Sequence, residues 1–205
     1  MLNRDQALQK MEEWVKSQSL RNHCRAVEVA MRKCAHVYGT GITDEERFGL
    51  AGMCHDIDWE KFPAEHPKMA VEWLKAMNEP EIAAAVAAHG TAWGKPYDTV
   101  MARALVATDE LCGLVVACAK VRPDGIRTLT PKSVLKKFKD SSFAANVDRS
   151  EIYSGLRILG VEIDPHVQVI IDALMPCAEE LGIAGTNGAP GIPLPSNEPS
   201  SAQHT

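Results

Sequence analysis

Apolar residues recur at helical spacing along most of this chain. Near the N-terminus, Asn3 and Gln6 form a capping-box pattern ahead of an apolar helical face, and Thr43 and Glu46 form a second such box. Similar runs, bounded by capping residues, glycine or proline, predict the other helices. The predicted helices cover about 3–15, 20–38, 43–54, 65–77, 78–89, 99–120, 131–138, 149–159 and 165–181.

The most hydrophobic stretch, about 99–120, contains Asp109 and Glu110 near its middle and Arg103 near its start. These charges favour a buried core helix over a membrane span. No stretch shows strand-like alternation between turn signals, and no fixed-period repeat is present. From Ala184 onward the chain is rich in Gly, Pro, Ser and Asn, which is typical of disorder. The pattern predicts an all-α, single domain over 1–183 and a disordered tail over 184–205.

Composition narrows the class of protein. The 205 residues, 45% of them hydrophobic, suffice for one domain with a full core. The net charge of −5 gives no overall basic field, which argues against a nucleic-acid partner. The N-terminus lacks an apolar run, and the six cysteines contain no C-x-x-C pair. We therefore expect a cytoplasmic protein with reduced, buried thiols, no membrane partner and no cysteine-based zinc site.

Asp109 is the polar residue that most needs an explanation. An ionised carboxylate in an apolar helix costs several kcal/mol unless a cation or a metal ion neutralises it. Arg103 lies off the same local face, so the helix itself offers no evident partner, although Asp109 could pair with another helix. The dipeptide His55-Asp56 falls at the end of a predicted helix, where both side chains can converge on one ion.

An isolated His-Asp dipeptide is common by chance, but here it belongs to a longer series of imidazoles and carboxylates. Such ligands suit borderline or hard divalent ions such as Zn, Mn, Fe, Co or Ni, whereas soft copper and iron–sulfur sites would use thiolates. The series consists of His23, His55, Asp56, His66, His89 and Asp109.

The order of these residues resembles the HD-domain superfamily of metal-dependent phosphohydrolases, and most closely its small, single-domain HDIG-type bacterial hydrolases. The resemblance extends from about Asn3 to Gly182, with a motif core at about 20–120, and implies an all-α HD-domain helical bundle. It departs at Asp58, where the HDIG signature has glycine, and this loosens any transfer from the cyclic-nucleotide and cyclic-dinucleotide phosphodiesterase branches. The matching segments are Leu20-x-x-His23, Leu50-Ala51-Gly52-x-x-His55-Asp56-Ile57-Asp58, the His66 helix, Ala88-His89 and Ala107-Thr108-Asp109-Glu110-Leu111.

The resemblance implies a metal-ligand set. His23, His55, Asp56 and Asp109 would hold one divalent ion, and Asp56 would bridge to a second ion held by His66 and His89. Family members with only four ligands use one ion, so the two extra histidines favour a dinuclear site, although either could be a capped or core histidine instead. We expect two ions of Mn, Fe, Co, Ni or Zn, with Mg as an alternative.

The same resemblance implies hydrolysis of a small phosphorylated metabolite or nucleotide, a phosphomonoester or phosphodiester, by metal-activated water. Asp56 would act as catalytic ligand, and Asp58 as a proton-transfer group or as an orienting partner of a ligand histidine. Lys61, Lys95 and Arg122 are candidates to bind the substrate phosphate, with Lys61 also a catalytic candidate, because they lie in loops or at helix ends near ligand-bearing segments. Each could equally be a solvated charge.

Two other functions stay open. Some HD proteins with six such residues resemble di-iron oxygenases, which cleave C–C or C–P bonds with O₂. A non-catalytic regulatory domain that binds a nucleotide or metal is the third class, and the presence of all six ligands argues against it. The sequence does not identify the substrate or the metal, and it leaves a homodimer open.

Overall fold

The protein is described here by a computed structural model that covers residues 1–39 and 45–186. These residues form nine α-helices and three short 3-10 helices, and none of them lies in a β-strand. The predicted all-α fold is confirmed. The α-helices are α1 (Arg4–Trp14), α2 (Gln18–Tyr38), α3 (Glu45–Cys54), α4 (Lys68–Ala76), α5 (Pro80–His89), α6 (Val100–Lys120), α7 (Pro131–Phe138), α8 (Arg149–Leu159) and α9 (Ile163–Leu174), and the 3-10 helices are Thr91–Trp93, Gly125–Thr128 and Met175–Cys177.

Local sequence signals set several helix ends. The Asn3 side chain accepts the Gln6 N–H at 2.9 Å and the Gln6 side chain accepts the Asn3 N–H at 3.1 Å, so the predicted capping box is formed. Pro80 occupies the first position of α5, where its missing N–H costs nothing, and Gly90 follows the last residue of that helix. The capping residue predicted at Thr43 lies outside the described residues.

Helix α6 is the centre of the core, as predicted. It packs against α2, α5 and α8, and its apolar residues from Met101 to Ala119 are largely buried. Two glycines allow close contacts between helices of the bundle. A Cβ on Gly52 would lie 2.6 Å from the Val27 carbonyl oxygen of α2, and a Cβ on Gly155 would lie 2.4 Å from the Val106 carbonyl oxygen of α6. The first contact positions the end of α3, where His55 and Asp56 follow.

A buried ion cluster fastens the N-terminal helices together. The Glu28 side chain of α2 is fully buried and accepts hydrogen bonds from Arg4 at 2.8 Å, from Arg32 at 3.2 Å and from Arg25. Arg32 also donates to Glu46 of α3 at 2.7 Å. Because all three cations face one carboxylate, the charge of Glu28 is compensated within α1 and α2, and α3 is joined to them through Glu46.

Two predicted helix boundaries were wrong, and prolines explain both. The helix predicted from about Glu65 begins at Lys68, so His66 lies in the turns before α4 and not in its first turn. Pro67 disfavours helical backbone at the residue before it. The last helix was predicted to continue to Leu181, but α9 ends at Leu174. Pro176 has no N–H for the helical ladder, and the chain continues as a 3-10 helix and turns.

The packed chain extends slightly past the predicted boundary at residue 183. Ala184 is buried, and the Thr186 N–H donates to the Pro123 carbonyl at 2.8 Å. Residues 187–205, the remainder of the predicted tail, lie outside the described residues. No helix in the described part of the chain is long and apolar enough to cross a membrane. The six cysteines are free thiols, and all of them except Cys177 are buried.

Candidate metal centre

The structure brings all six predicted metal ligands together. His23 comes from the second turn of α2, His55 and Asp56 directly follow α3, and His89 is the last residue of α5. Five elements therefore contribute to one cluster, since His66 lies in the turns before α4 and Asp109 lies near the middle of α6.

One oxygen of Asp56 faces the first group of donors. Asp56 Oδ2 lies 3.4 Å from His55 Nε2 and 3.8 Å from His23 Nε2. Asp109 Oδ1 completes this group, at 2.9 Å from His23 Nε2 and 3.2 Å from His55 Nε2. His23, His55 and Asp56 are close enough together to hold one metal ion, and Asp109 adds a further oxygen at the same place.

The other oxygen of Asp56 faces a second group. Asp56 Oδ1 lies 3.4 Å from His66 Nε2 and 3.5 Å from His89 Nε2, and these three residues are also close enough together to hold a metal ion. Asp56 is thus shared, with one carboxylate oxygen turned toward each group. This is the arrangement expected of a carboxylate that bridges two ions.

The chemistry of the donors fits a divalent cation. The Nδ1 of His55 lies 2.7 Å from the Gly52 carbonyl, and the Nδ1 of His89 lies 2.6 Å from the Val86 carbonyl. A carbonyl oxygen only accepts, so each Nδ1 carries a hydrogen, and each ring turns its Nε2 toward Asp56. Lone pairs that face carboxylate oxygens repel one another unless a proton or a metal ion lies between them.

The pKa values of the two carboxyl groups in the first set of donors also fit a site for a cation. Burial would raise the pKa of the carboxyl of Asp56 and that of Asp109, but the charge of His55 and hydrogen bonds from neighbouring imidazoles outweigh burial and hold both pKa values well below their usual range. Burial would lower the pKa of His55, but Asp56 and Asp109 raise it well above its ordinary value. Both carboxylates are therefore ionised and can bind a cation at this position.

Asp58 lies behind the second group and does not enter it. The side chain is fully buried, and both of its oxygens have partners. Oδ1 accepts from His66 Nδ1 at 2.7 Å and Oδ2 accepts from the Ala70 N–H at 2.9 Å. Of the two roles considered for Asp58, this geometry matches the orienting partner of a ligand histidine, because the bond leaves His66 Nε2 free to face Asp56.

A cavity of about 420 Å³ opens onto the cluster. Trp59, Trp93, Glu110 and Glu151 line its wall, and His23, Asp56, His66, His89 and Asp109 lie at its base. Burial, together with the charge of Asp109, raises the pKa of Glu110 to about 7. The cavity is large enough for a small metabolite to reach the cluster.

The structure does not bring the three predicted phosphate-binding cations to this cavity. Lys61 Nζ lies 3.7 Å from Glu13 and 5.5 Å from the centre of the Trp14 ring, on the side of α1. Arg122 lies beyond the C-terminal end of α6 and donates to the Thr128 carbonyl at 3.0 Å. Lys95 lines a neighbouring cavity of about 320 Å³. Long side chains turn toward their nearest partners, and for Lys61 and Arg122 these lie elsewhere.

Sequence reasoning missed two residues of the cavity wall. Neither Glu151 nor Thr91 was singled out, although Glu151 lies on the predicted helix at 149–159. The Thr91 hydroxyl donates to Glu151 Oε1 at 2.7 Å across 60 positions of sequence. No local pattern signals such a contact. Glu110 carried a signal, because it is the second acid in the apolar helix α6.

Comparison with protein families identifies the class. Residues 20–119 match the family model described as "HD domain", and this range contains all six residues of the cluster. These residues therefore form an HD domain, as the sequence pattern predicted. Neither the curated proteins nor the solved structures contain a match to the chain.

Proposed function

We propose that the protein is a metal-dependent phosphohydrolase that cleaves a phosphoric ester of a small metabolite or nucleotide. The observation that carries the proposal is the Asp56 carboxylate, whose two oxygens face two separate sets of donors at the base of an open cavity. The match of residues 20–119 to the HD domain supports it, because the HD-domain family consists mostly of metal-dependent phosphohydrolases. The cavity gives a substrate access to both groups.

The residues of the chain supply binding and orientation. Ions held by the two groups would lower the pKa of a coordinated water and polarise a phosphoryl oxygen. Asp56 and Asp109 provide the negative charge that retains such ions, and hydrogen bonds from the Nδ1 atoms of His55, His66 and His89 fix the three rings. Hydrolysis breaks the phosphorus–oxygen ester bond, transfers the phosphoryl group to water and returns a proton to the leaving oxygen. No protein nucleophile is required.

The first experiment is elemental analysis of protein purified without a tag or chelator, followed by phosphate-release assays on the same sample with a panel of phosphorylated metabolites. We expect about two equivalents of a divalent ion and phosphate release from at least one ester. The His55→Ala variant should lose both, because it removes a donor that faces both Asp56 and Asp109. His36→Ala is the matched control, since His36 lies on the exposed side of α2.

A second candidate is supported by the same ligands. Six histidine and carboxylate donors in two groups also suit iron, and the described residues place no lysine or arginine on the cavity wall to receive a phosphate. Two equivalents of iron, O₂ uptake and no phosphate release would replace the hydrolase by an oxygenase that cleaves a C–C or C–P bond. Protein that binds no metal at all would contradict both.

A further inference from the structure

The cavity wall above the metal centre is acidic and aromatic. Two carboxylates, Glu110 on α6 and Glu151 on α8, line it together with the indole rings of Trp59 and Trp93. No lysine or arginine of residues 1–39 or 45–186 joins them. A phosphoryl group in this cavity would therefore find positive charge only at metal ions held by the cluster at its base.

One oxygen of each wall carboxylate accepts a hydrogen bond from the protein. Glu110 Oε2 accepts the Asp148 N–H at 2.8 Å, and Glu151 Oε1 accepts the Thr91 hydroxyl at 2.7 Å. The hydrogen bonds found within the described chain do not involve Glu110 Oε1 or Glu151 Oε2, so each side chain is fixed and still has an acceptor for a ligand. Glu110 and Glu151 line the same cavity as Asp109, and a cation between these carboxylates would relieve their mutual repulsion.

The aromatic residues of the wall also favour a cationic group. Trp59 is 54% exposed, and its ring packs edge-on against the His66 ring with centroids 4.8 Å apart. Trp93 follows α5 in the 3-10 helix Thr91–Trp93, next to the hydroxyl that holds Glu151. The face of an indole ring attracts an ammonium group, and carboxylates beside it add charge and hydrogen-bond acceptors. An organic cation satisfies both features, whereas a second phosphate satisfies neither.

We propose, on the basis of the proposed phosphohydrolase function, that the substrate is a zwitterionic phosphomonoester of an amino alcohol. Its phosphoryl group binds at the metal centre, and its ammonium group binds between Glu110, Glu151 and the two indole rings. Nucleoside triphosphates and other substrates with several anionic groups are disfavoured, because the wall repels every negative charge that does not reach the metals.

The test compares two esters of equal size, 2-aminoethyl phosphate and 2-hydroxyethyl phosphate, with the manganese-loaded protein. They differ only in an ammonium group in place of a hydroxyl group. We expect kcat/KM to be about tenfold or more higher for the amino ester, which is the scale of two partly exposed ion pairs. Glu110→Gln and Glu151→Gln should each lower kcat/KM more for the amino ester than for the hydroxy ester and so reduce this preference. The glutamine oxygen can still accept from Asp148 or Thr91, which keeps the side chain in place.

Glu72→Gln is the charge-matched control, because Glu72 is an exposed residue of α4 that pairs only with Lys68 among its described neighbours. It should keep the full preference for the amino ester. Equal kcat/KM for the two esters, or an equal loss for both in the glutamine variants, would overturn the proposal and leave the phosphohydrolase function standing.

A binding measurement separates this proposal from the function on which it rests. Quenching of tryptophan fluorescence by 2-aminoethyl phosphate, with 2-hydroxyethyl phosphate as reference, reports occupancy of the wall without turnover. If neither ester is hydrolysed but the amino ester binds about tenfold more tightly, and the glutamine variants abolish that difference, the ammonium site stands while the phosphohydrolase fails. If neither ester is hydrolysed and both bind with equal affinity, the ammonium site fails too.

Discussion

His66 donates its Nδ1 hydrogen to the fully buried carboxylate of Asp58 at 2.7 Å, and this bond turns the opposite ring nitrogen toward Asp56. The Ala70 N–H holds the other oxygen of Asp58 at 2.9 Å, so the carboxylate is fixed on both sides by donors. An amide in its place would direct an NH₂ group at one of those donors. The orientation of His66 therefore depends on the charge and on both oxygens of Asp58.

The first prediction concerns Asp58→Asn. We expect the affinity for the second metal ion to fall about 10- to 100-fold, because removal of the partner of a ligand histidine typically costs that much. Isothermal titration with Mn²⁺ should show one site with unchanged affinity and one weakened site. Asp164→Asn removes the same charge from the first turn of α9 and should bind Mn²⁺ like the parent. Two unchanged sites in Asp58→Asn would contradict the assigned role.

Features of the site that follow from local sequence signals, such as helix periodicity and capping residues, could be predicted from the sequence. The position of His55 and Asp56 at the end of α3 followed from the helical period, and the position of Asp109 within α6 followed from the cost of a carboxylate among apolar residues. The ends of α5 and α8 were also predictable, because proline, glycine and capping residues act locally.

Those parts that depend on contacts between distant segments could not be predicted. Arg122 contacts Thr128, and Lys61 contacts Glu13. The residues on either side of each cation in the sequence do not predict these partners. The hydrogen bond between Thr91 and Glu151 likewise requires the packing of α8 against α6. A long side chain can reach in many directions from one backbone position, so its partner is set by tertiary structure.

The second prediction uses the shared position of Asp56. His89→Ala should lower the metal content from about two equivalents to about one, because His89 faces only the Oδ1 side of Asp56. Asp56→Ala should lower it to well below one, because the carboxylate faces both groups. Elemental analysis after gel filtration measures both. Equal metal loss in the two variants would show that the six ligands do not form two groups.

The third prediction concerns the contact between α2 and α3. Gly52→Ala places a Cβ 2.6 Å from the Val27 carbonyl oxygen, and backbone atoms cannot yield as a flexible side chain can. We expect the free energy of unfolding to fall by about 3 kcal/mol, together with weaker metal binding, because Gly52 also accepts the hydrogen bond from His55. Urea unfolding monitored by circular dichroism gives the value.

Gly113→Ala is the matched control for this substitution. Gly113 lies inside α6, and the nearest atom to a new Cβ would be Val147 Cγ2 at 3.9 Å, an ordinary van der Waals contact. Alanine should therefore stabilise the protein by about 0.5–1 kcal/mol through its higher helix propensity. If both alanine variants changed stability by the same amount and in the same direction, the close approach at Gly52 would not be the cause.

The last prediction concerns pH. His166 of α9 is fully buried, and its Nδ1 lies 2.8 Å from the Tyr38 hydroxyl. Burial lowers the pKa of His166 to about 4, against about 6.5 in the unfolded chain. The unfolded state therefore binds a proton first as the pH falls. The contribution of neutral, buried His166 to the free energy of unfolding is complete above pH 6.5 and is lost between pH 6.5 and about 4. The loss amounts to about 2 kcal/mol between pH 7 and pH 5.

Urea unfolding of the parent and of His166→Gln at pH 7 and pH 5 tests this, and the variant should lose about 2 kcal/mol less on acidification. Tyr38→Phe separates the effect of burial on the pKa of His166 from that of the tyrosine hydroxyl, because it removes the hydroxyl and leaves the imidazole buried. We expect it to be less stable at both pH values with the parent's pH dependence, since burial and not the tyrosine lowers the pKa of His166. A pH dependence in His166→Gln equal to that of the parent would assign the acid sensitivity to other groups.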